Sequence, residues 1–93
     1  MVRLAGLDVI GARLDGVTLA GVDLDDASAY SATIDGDLHG ASLRNANFIR
    51  AQLSGDWRGV DLRGAQLSSA VLSAIDLMGA KLAGASLYGV TFG

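Results

Sequence analysis

Large apolar residues recur at every fifth position along most of this chain. The interval first links Leu14, Leu19 and Leu24, and it continues through Leu43, Phe48, Leu53, Leu62, Leu67, Leu72, Leu77, Leu82, Leu87 and Phe92. Two residues before each of them lies a small or β-branched residue, and a glycine commonly follows two residues after. The chain is therefore built largely from a five-residue unit.

A spacing of five fits neither regular secondary structure. In an α-helix, five steps of about 100° would carry successive leucines around the whole circumference, so no apolar stripe would form. In a straight β-strand, residues two apart share a face, but an odd step of five places Leu14 and Leu19 on opposite faces. The backbone must therefore bend once in each unit. Four short extended pieces joined by corners close a square coil, and successive coils stack as parallel strands about 4.8 Å apart.

This pattern resembles the pentapeptide-repeat family, whose unit is a small residue, a polar residue, Leu or Phe, and two further polar or small residues. Residues 41–48 (ASLRNANF) and 80–87 (AKLAGASL) match it closely, and the resemblance covers essentially the whole chain. It implies an all-β fold, the right-handed quadrilateral parallel β-helix, with residues 1–93 as a single domain. Counting the inward centres from Leu4 to Phe92 predicts nineteen sides, or nearly five coils.

The register slips twice, over residues 34–38 and 53–57, where the step between centres is four. Because every fourth centre lies on one face, both deletions fall at the same corner of adjacent coils. We expect Gly36 and Gly55 to serve there as corner and inward residue together. The ring of Trp57 is expected to be partly exposed beside so narrow a coil; the alternative is that the shortened corner exists to accommodate it.

Composition restricts the classes of function. The 93 residues are 51% hydrophobic and 5% aromatic, but no segment approaches the roughly 20 consecutive apolar residues of a spanning helix. The amino terminus lacks the apolar centre of a signal peptide, so a cytoplasmic location is expected.

With no cysteine and one histidine, a thiolate or multi-histidine metal site is excluded. A net charge of −3 disfavours binding to nucleic acid. No catalytic or nucleotide-binding motif is present, so neither enzyme activity nor a cofactor is expected.

Stacking converts equivalent positions into rows along the rod, and one row is a candidate partner-binding stripe. It follows the centres of one face and contains Ile10, Tyr30, Ile49 and Tyr88, with Ser68 before the last. Four of its five residues are apolar or aromatic, which predicts a docking surface for a protein partner or a second copy. Scattered surface hydrophobes without a function are the alternative.

A second row is acidic and precedes the centres of another face. This acidic ladder consists of Asp37, Asp56 and Asp76. Like charges so close repel one another, and neighbouring His39 and Arg58 are expected to offset this repulsion. A calcium site is disfavoured because one flat row lacks the six or more converging oxygens that the ion prefers. No metal is therefore predicted.

The sequence shows no polar or helical capping segment before Leu4 or after Phe92. Uncapped solenoid ends expose strand edges and the core cross-section, so end-to-end association is expected. We predict a homodimer through the end that contains Leu82, Leu87 and Phe92.

Two functions are compatible with these features. The first is a non-catalytic interaction or scaffold module for a protein partner. The second is implied by the family resemblance: some pentapeptide-repeat proteins mimic acidic DNA, bind the DNA groove of gyrase, a type II topoisomerase, and give quinolone or self-resistance. This chain departs from that group in its modest charge and short length. Binding to a membrane is not expected.

Overall fold

The alternation of extended pieces and corners extends through residues 2–93, the part of the chain that the computed structural model describes. One parallel sheet contains five strands in chain order: β1 (Arg13–Thr18), β2 (Thr33–Asp37), β3 (Gln52–Asp56), β4 (Val71–Asp76) and β5 (Thr91–Phe92). Residues 2–93 contain no helix. Accordingly, no helix among them is long and apolar enough to cross a bilayer.

Four sides make up each coil. Parallel bridges define side 1, with Arg3, Asp23, Ser42, Asp61 and Lys81, and side 2, with Asp8, Ser28, Asn47, Gln66 and Ser86. The strands bend at a corner, so that their first residues form side 3 and the last residues of β1 to β4 form side 4. Sides 1 to 3 therefore have five levels and side 4 has four. Residues 2–93 thus form four complete coils and three sides of a fifth.

The inward centres pack into one apolar column along the axis. The largest side chains that are fully buried are Trp57, Phe48, Leu38, Leu43, Leu53, Leu62, Leu67 and Val60. Burial of each such aliphatic side chain stabilises the fold by roughly 1.5–3 kcal/mol. The backbone is paired between coils, as where the Phe48 N–H donates to the Gln66 carbonyl at 2.7 Å. No buried side-chain nitrogen or oxygen within residues 2–93 lacks a hydrogen-bond partner.

The two shortened corners lie directly above one another, as the sequence predicts. Gly36 pairs with Gly55 without a register shift between β2 and β3. The register of the strand pairing shifts only where a shortened corner meets a longer one, between β1 and β2 and between β3 and β4. At these shifts Gly36 aligns with Val17, and Gly55 aligns with Ile75. The inward position at this corner is therefore glycine in two adjacent coils and a branched residue in the coils that flank them.

The expectation that Trp57 is partly exposed is wrong, because its side chain is 0% exposed. Gly36 and Gly55 contribute no side chain to the interior of the shortened coils, which leaves room for the indole ring. The ring packs edge-to-face against Phe48, with centroids 5.9 Å apart. Its Nε1–H donates to the Ser54 carbonyl oxygen at 2.8 Å. The shortened corner thus accommodates Trp57, which was the alternative interpretation.

Replacing Gly55 by alanine should destabilise the fold by at least about 3 kcal/mol. The residue has φ +106°, and an added Cβ would overlap the carbonyl oxygen of Gly36 in the coil below. Gly40→Ala is the matched control, since Gly40 also has positive φ (+69°) but no atom would lie within 4 Å of its Cβ. The control should lose only about 1 kcal/mol. Urea unfolding measures both losses, and equal losses would show that the corners are not stacked as described.

Candidate functional site

Each aspartate of the acidic ladder has a local structural role. At Asp37, Asp56 and Asp76, the side-chain Oδ1 accepts a hydrogen bond from the backbone N–H two residues later, at 3.0–3.1 Å. The same turn occurs at Asp8, Asp23, Asn47 and Asp61. Such Asx turns give a hydrogen-bond acceptor to the backbone amide that follows the extended piece. They therefore stabilise the corner at that point. Sequence reasoning missed this role, although the signal was present as Asp or Asn directly before an inward centre.

The three ladder residues occupy consecutive levels of side 4, because Asp37 pairs with Asp56 and Asp56 pairs with Asp76. Two of them have a cationic or titratable neighbour. The His39 Nδ1 lies 2.7 Å from Asp37 Oδ1. The Arg58 guanidinium donates from Nε and Nη2 to both oxygens of Asp56, at 2.8 and 2.7 Å. The Arg58 guanidinium therefore offsets the negative charge of Asp56, whereas His39 forms a hydrogen-bond contact with Asp37.

These contacts change the acidity of the row. The hydrogen bond from the Arg58 side chain is the main cause that lowers the pKa of Asp56 to about 2. The hydrogen bond with His39 lowers the pKa of Asp37. Both carboxylates are therefore ionised throughout the physiological range, and they act as hydrogen-bond acceptors rather than as general acids.

Asp37, His39 and Asp56 are the described residues closest to a metal-binding arrangement, with ligand atoms that lie within 4.8 Å of one another. A cation bound there would have to displace Arg58, which already contacts both oxygens of Asp56. It would also have to compete with the contact between Asp37 and His39. Three donors fall short of the six or more oxygens that calcium prefers. This set of side chains fits an ion-pair network better than a metal centre.

The net charge of the chain is concentrated at the corner between sides 3 and 4. This acidic corner contains five of the ten carboxylates, namely Asp15, Asp35, Asp37, Asp56 and Asp76. Only two of the seven basic side chains pair with them, Arg13 and Arg58. Five negative and two positive charges give −3, which equals the net charge of the whole chain. The other five carboxylates are matched by five basic side chains, so the rest of the surface is neutral on balance.

Side 1 carries a second set of ion pairs. The Arg44 guanidinium donates to Asp25 in the coil below, with Nη2 at 2.8 Å and Nε at 3.1 Å from Oδ2. Arg63 binds both oxygens of Asp61 at 2.6 and 2.8 Å. Asp25 joins adjacent coils, and its role becomes visible only once residues 19 positions apart are known to be neighbours. These arginines are therefore engaged with carboxylates rather than arranged around an anion.

The four residues of the apolar stripe lie in one row, together with Ser68, at the corner that follows side 2. Backbone hydrogen bonds between successive coils hold its residues in register. The exposed fractions are 57% for Ile10, 38% for Tyr30 and 82% for Tyr88, whereas Ile49 is half-buried. Ser68 occupies the remaining level, and its hydroxyl lies 3.1 Å from that of Ser86. The structure thus brings the four predicted residues into one row.

The last coil exposes the end of the apolar column. Leu82 is 36% exposed, Leu87 is 44% exposed and Phe92 is 70% exposed. Their counterparts in the middle coils, such as Leu43 and Leu62, are at most 2% exposed. Side 4 has no fifth level there, and an open groove of about 580 Å³ lies beside β4. The predicted dimer end is therefore an apolar surface of this structure.

These observations define the class as a parallel β-solenoid whose coil has four sides, each supplied by a unit of four or five residues. The family model described as pentapeptide repeats (8 copies) matches residues 34–55 and 57–93. The chain belongs to the pentapeptide repeat family. The match is interrupted at residue 56, inside one of the two shortened units. The comparison with curated proteins finds no match.

Solved structures with the same architecture include two cyanobacterial proteins from Nostoc PCC 7120. HetL, a pentapeptide repeat protein involved in heterocyst differentiation regulation, is 32% identical with a TM-score of 0.62 over 95% of this chain and 48% of its own. This chain thus spans about half the length of HetL. The pentapeptide repeat protein alr5209 is 30% identical with a TM-score of 0.74 over 92% of this chain and 84% of its own.

A trypsin-treated form of QnrB1, a plasmid-mediated fluoroquinolone resistance protein, is also similar in structure. It is 17% identical with a TM-score of 0.54 over 98% of this chain and 60% of its own. At that identity the similarity concerns the fold alone. The fold class predicted from the sequence, the right-handed quadrilateral β-helix, is confirmed by these neighbours.

The ion pair on side 4 should be visible in the pH dependence of the carboxyl groups. Because the pKa of Asp56 lies near 2 in the folded chain and the ordinary value is 3.8, the pair stabilises the fold above about pH 4. This stabilisation should be lost as the pH falls from about 4 to about 2. In Arg58→Ala, the pKa of Asp56 measured by carboxyl NMR titration should rise toward 3.8.

Arg63→Ala serves as the control, since Arg63 lowers the pKa of Asp61 on a different side. It should raise the pKa of Asp61 and leave that of Asp56 near 2. An Asp56 pKa that does not respond to the loss of Arg58 would refute the described geometry.

Proposed function

We propose that this chain is a non-catalytic interaction module that presents one apolar row of a rigid rod to a protein partner. The observation that carries this proposal is the row of Ile10, Tyr30, Ile49 and Tyr88, in which three of the four side chains are more than one-third exposed. The backbone ladder holds their main chain in register, so little backbone entropy would be lost on binding. Aromatic side chains are also the residues that most often dominate binding energy at protein interfaces.

The charge distribution supports a lateral surface for this role. The acidic corner carries the net charge. The stripe lies at the opposite end of side 3, at the corner between sides 2 and 3, and has no charged member. An apolar row without charged residues is typical of the centre of a protein interface. We propose that the partner is a protein and that the module acts in the cytoplasm; the location stays a prediction of the sequence.

A photo-reactive amino acid placed at Tyr30 should crosslink to the partner in lysates of the source cell. Adding the substitutions Ile10→Ser/Tyr88→Ser to the same chain should reduce the yield of this crosslink at least about tenfold. The same probe at Gln52 is the control, since this exposed residue lies on side 3 away from the stripe. Equal labelling from Tyr30 and Gln52 would contradict a docking role for the stripe.

The acidic corner favours a second candidate function. A row of carboxylates on a rigid rod can imitate the phosphates of DNA, and such a mimic would bind a type II topoisomerase such as gyrase. The modest total charge of −3 makes this the weaker candidate, and we expect no effect of the chain on gyrase supercoiling. Inhibition of supercoiling that is relieved by Asp35→Asn/Asp56→Asn would replace the first proposal with this one.

We also propose that the chain self-associates through its last coil, where Leu82, Leu87 and Phe92 are exposed. Covering these side chains would remove apolar surface from water, which favours association. Leu87→Ser/Phe92→Ser should weaken association at least about tenfold in sedimentation equilibrium. Tyr30→Ser, which changes a lateral residue, should leave it unchanged. A monomeric mass at every concentration up to the millimolar range would exclude self-association.

A further inference from the structure

We infer that the protein partner of the apolar stripe presents a carboxylate to Arg50, so that an ion pair between the two chains lies beside Tyr30 and Ile49. This inference rests on the proposed docking role of the stripe and specifies the chemistry of the partner. It is carried by one unpaired guanidinium that lies in an otherwise uncharged part of the surface.

Sides 2 and 3 meet at the corner that carries the stripe, and in the middle coils this half of the rod is nearly free of charge. Parallel bridges on side 2 and the pairing of β2, β3 and β4 on side 3 define three consecutive levels there. The partly or largely exposed residues of these levels, from the side 2 row to the side 3 row, are Ser28, Tyr30, Ser31, Thr33, Asn47, Ile49, Arg50, Gln52, Gln66, Ser68, Ser69 and Val71. Arg50 is the one charged residue among them.

The opposite half of the rod is charged at the same levels. Arg58 pairs with Asp56 on side 4 at 2.7 Å, and Arg63 pairs with Asp61 on side 1 at 2.6 Å. The uncharged half instead combines tyrosine with serine, asparagine and a single arginine. Tyrosine, serine and asparagine are enriched in the binding loops of antibodies, where arginine occurs among the residues that dominate the binding energy. The distribution of charge thus favours sides 2 and 3 as the half that contacts a protein.

The Arg50 side chain is exposed and forms no ion pair within residues 2–93. In its own row it lies between Ser31 of the preceding coil and Ser69 of the following coil. Each of the other six basic residues either forms an ion pair or lies opposite an aspartate of the adjacent level, as Lys81 does opposite Asp61. Arg50 is therefore the basic residue whose charge is left for a group outside the chain.

A partner that covers the stripe also covers Arg50. Arg50 directly follows Ile49, and the Ser31 N–H donates to the Ile49 carbonyl at 2.9 Å, which places the coil of Tyr30 next to that of Ile49. A guanidinium that loses its water without gaining an acceptor weakens binding, whereas a carboxylate can accept two hydrogen bonds from it. Because the surrounding surface of this half has no carboxylate, the partner supplies one.

Carbodiimide coupling tests this contact, because the reagent joins an amine to a carboxylate that touches it and does not join a guanidinium. Lys81 is the only lysine of the chain, so Lys81→Arg gives a background without a side-chain amine. Adding Arg50→Lys to this background places one such amine beside the stripe. In lysate of the source cell, we expect this amine to form an amide with an aspartate or glutamate of the same protein that the photo-reactive probe at Tyr30 labels, as read by mass spectrometry of the joined peptides.

The matched control is Gly59→Lys in the same background. Gly59 is an exposed residue at the diagonally opposite corner of the same coil, and its φ of 67° is close to the 60° of Arg50. It should give no amide with that protein. Equal coupling from the two positions would overturn the inference, and so would labelling from Tyr30 without any amide from Arg50→Lys; both results would leave the docking role of the stripe standing.

Charge reversal gives a second readout. In the chain that carries the probe at Tyr30, Arg50→Glu should lower the crosslink yield at least about tenfold, because two carboxylates would then face each other. Lys81→Glu makes the same change of net charge on side 1 and should leave the yield unchanged. Equal yields from these two variants would contradict the ion pair. A probe at Tyr30 that labels no protein would overturn the docking role and the inference together.

Discussion

The structure depends on one constraint, which is that every coil must lie in register on the coils beside it. Each extended piece has only a few residues, and its backbone groups find their partners 18 to 21 residues away, as in Phe48 to Gln66 and Thr33 to Ala12. A coil whose corner differs from that of its neighbour therefore shifts the register of the pairing, as between β1 and β2 and between β3 and β4. The paired glycines Gly36 and Gly55 avoid such a shift, because two shortened corners lie on one another.

Much of the fold could be predicted because the need to stack in register fixes the spacing of the inward residues in every unit. The odd spacing, the inward positions and the stacked deletions all follow from counting residues. The packing of Trp57 could not be predicted in the same way, because it depends on the volume that two glycines in different coils leave in the interior. The ion pair of Arg44 with Asp25 was likewise missed, since these residues become neighbours only through stacking. The Asx turns were missed for a different reason: an exposed aspartate is also compatible with repulsion, metal binding and solvation.

The candidate surfaces result from the same regularity. Stacking turns single positions into rows, so similar residue types at equivalent positions of several coils produce an apolar stripe or an acidic corner. Most of the acidic ladder is already accounted for by turns and ion pairs, whereas the side chains of Ile10, Tyr30 and Tyr88 in the stripe are more than one-third exposed.

The most direct test of the stacked coil is the detection of NMR scalar couplings across its backbone hydrogen bonds. The structure predicts couplings from the amide nitrogens of Leu43, Phe48 and Leu62 to the carbonyl carbons of Asp61, Gln66 and Lys81. These partners are 18 or 19 residues apart, a separation that a coil of this size requires. Couplings between residues four apart, or the absence of all long-range couplings in a folded chain, would contradict the account.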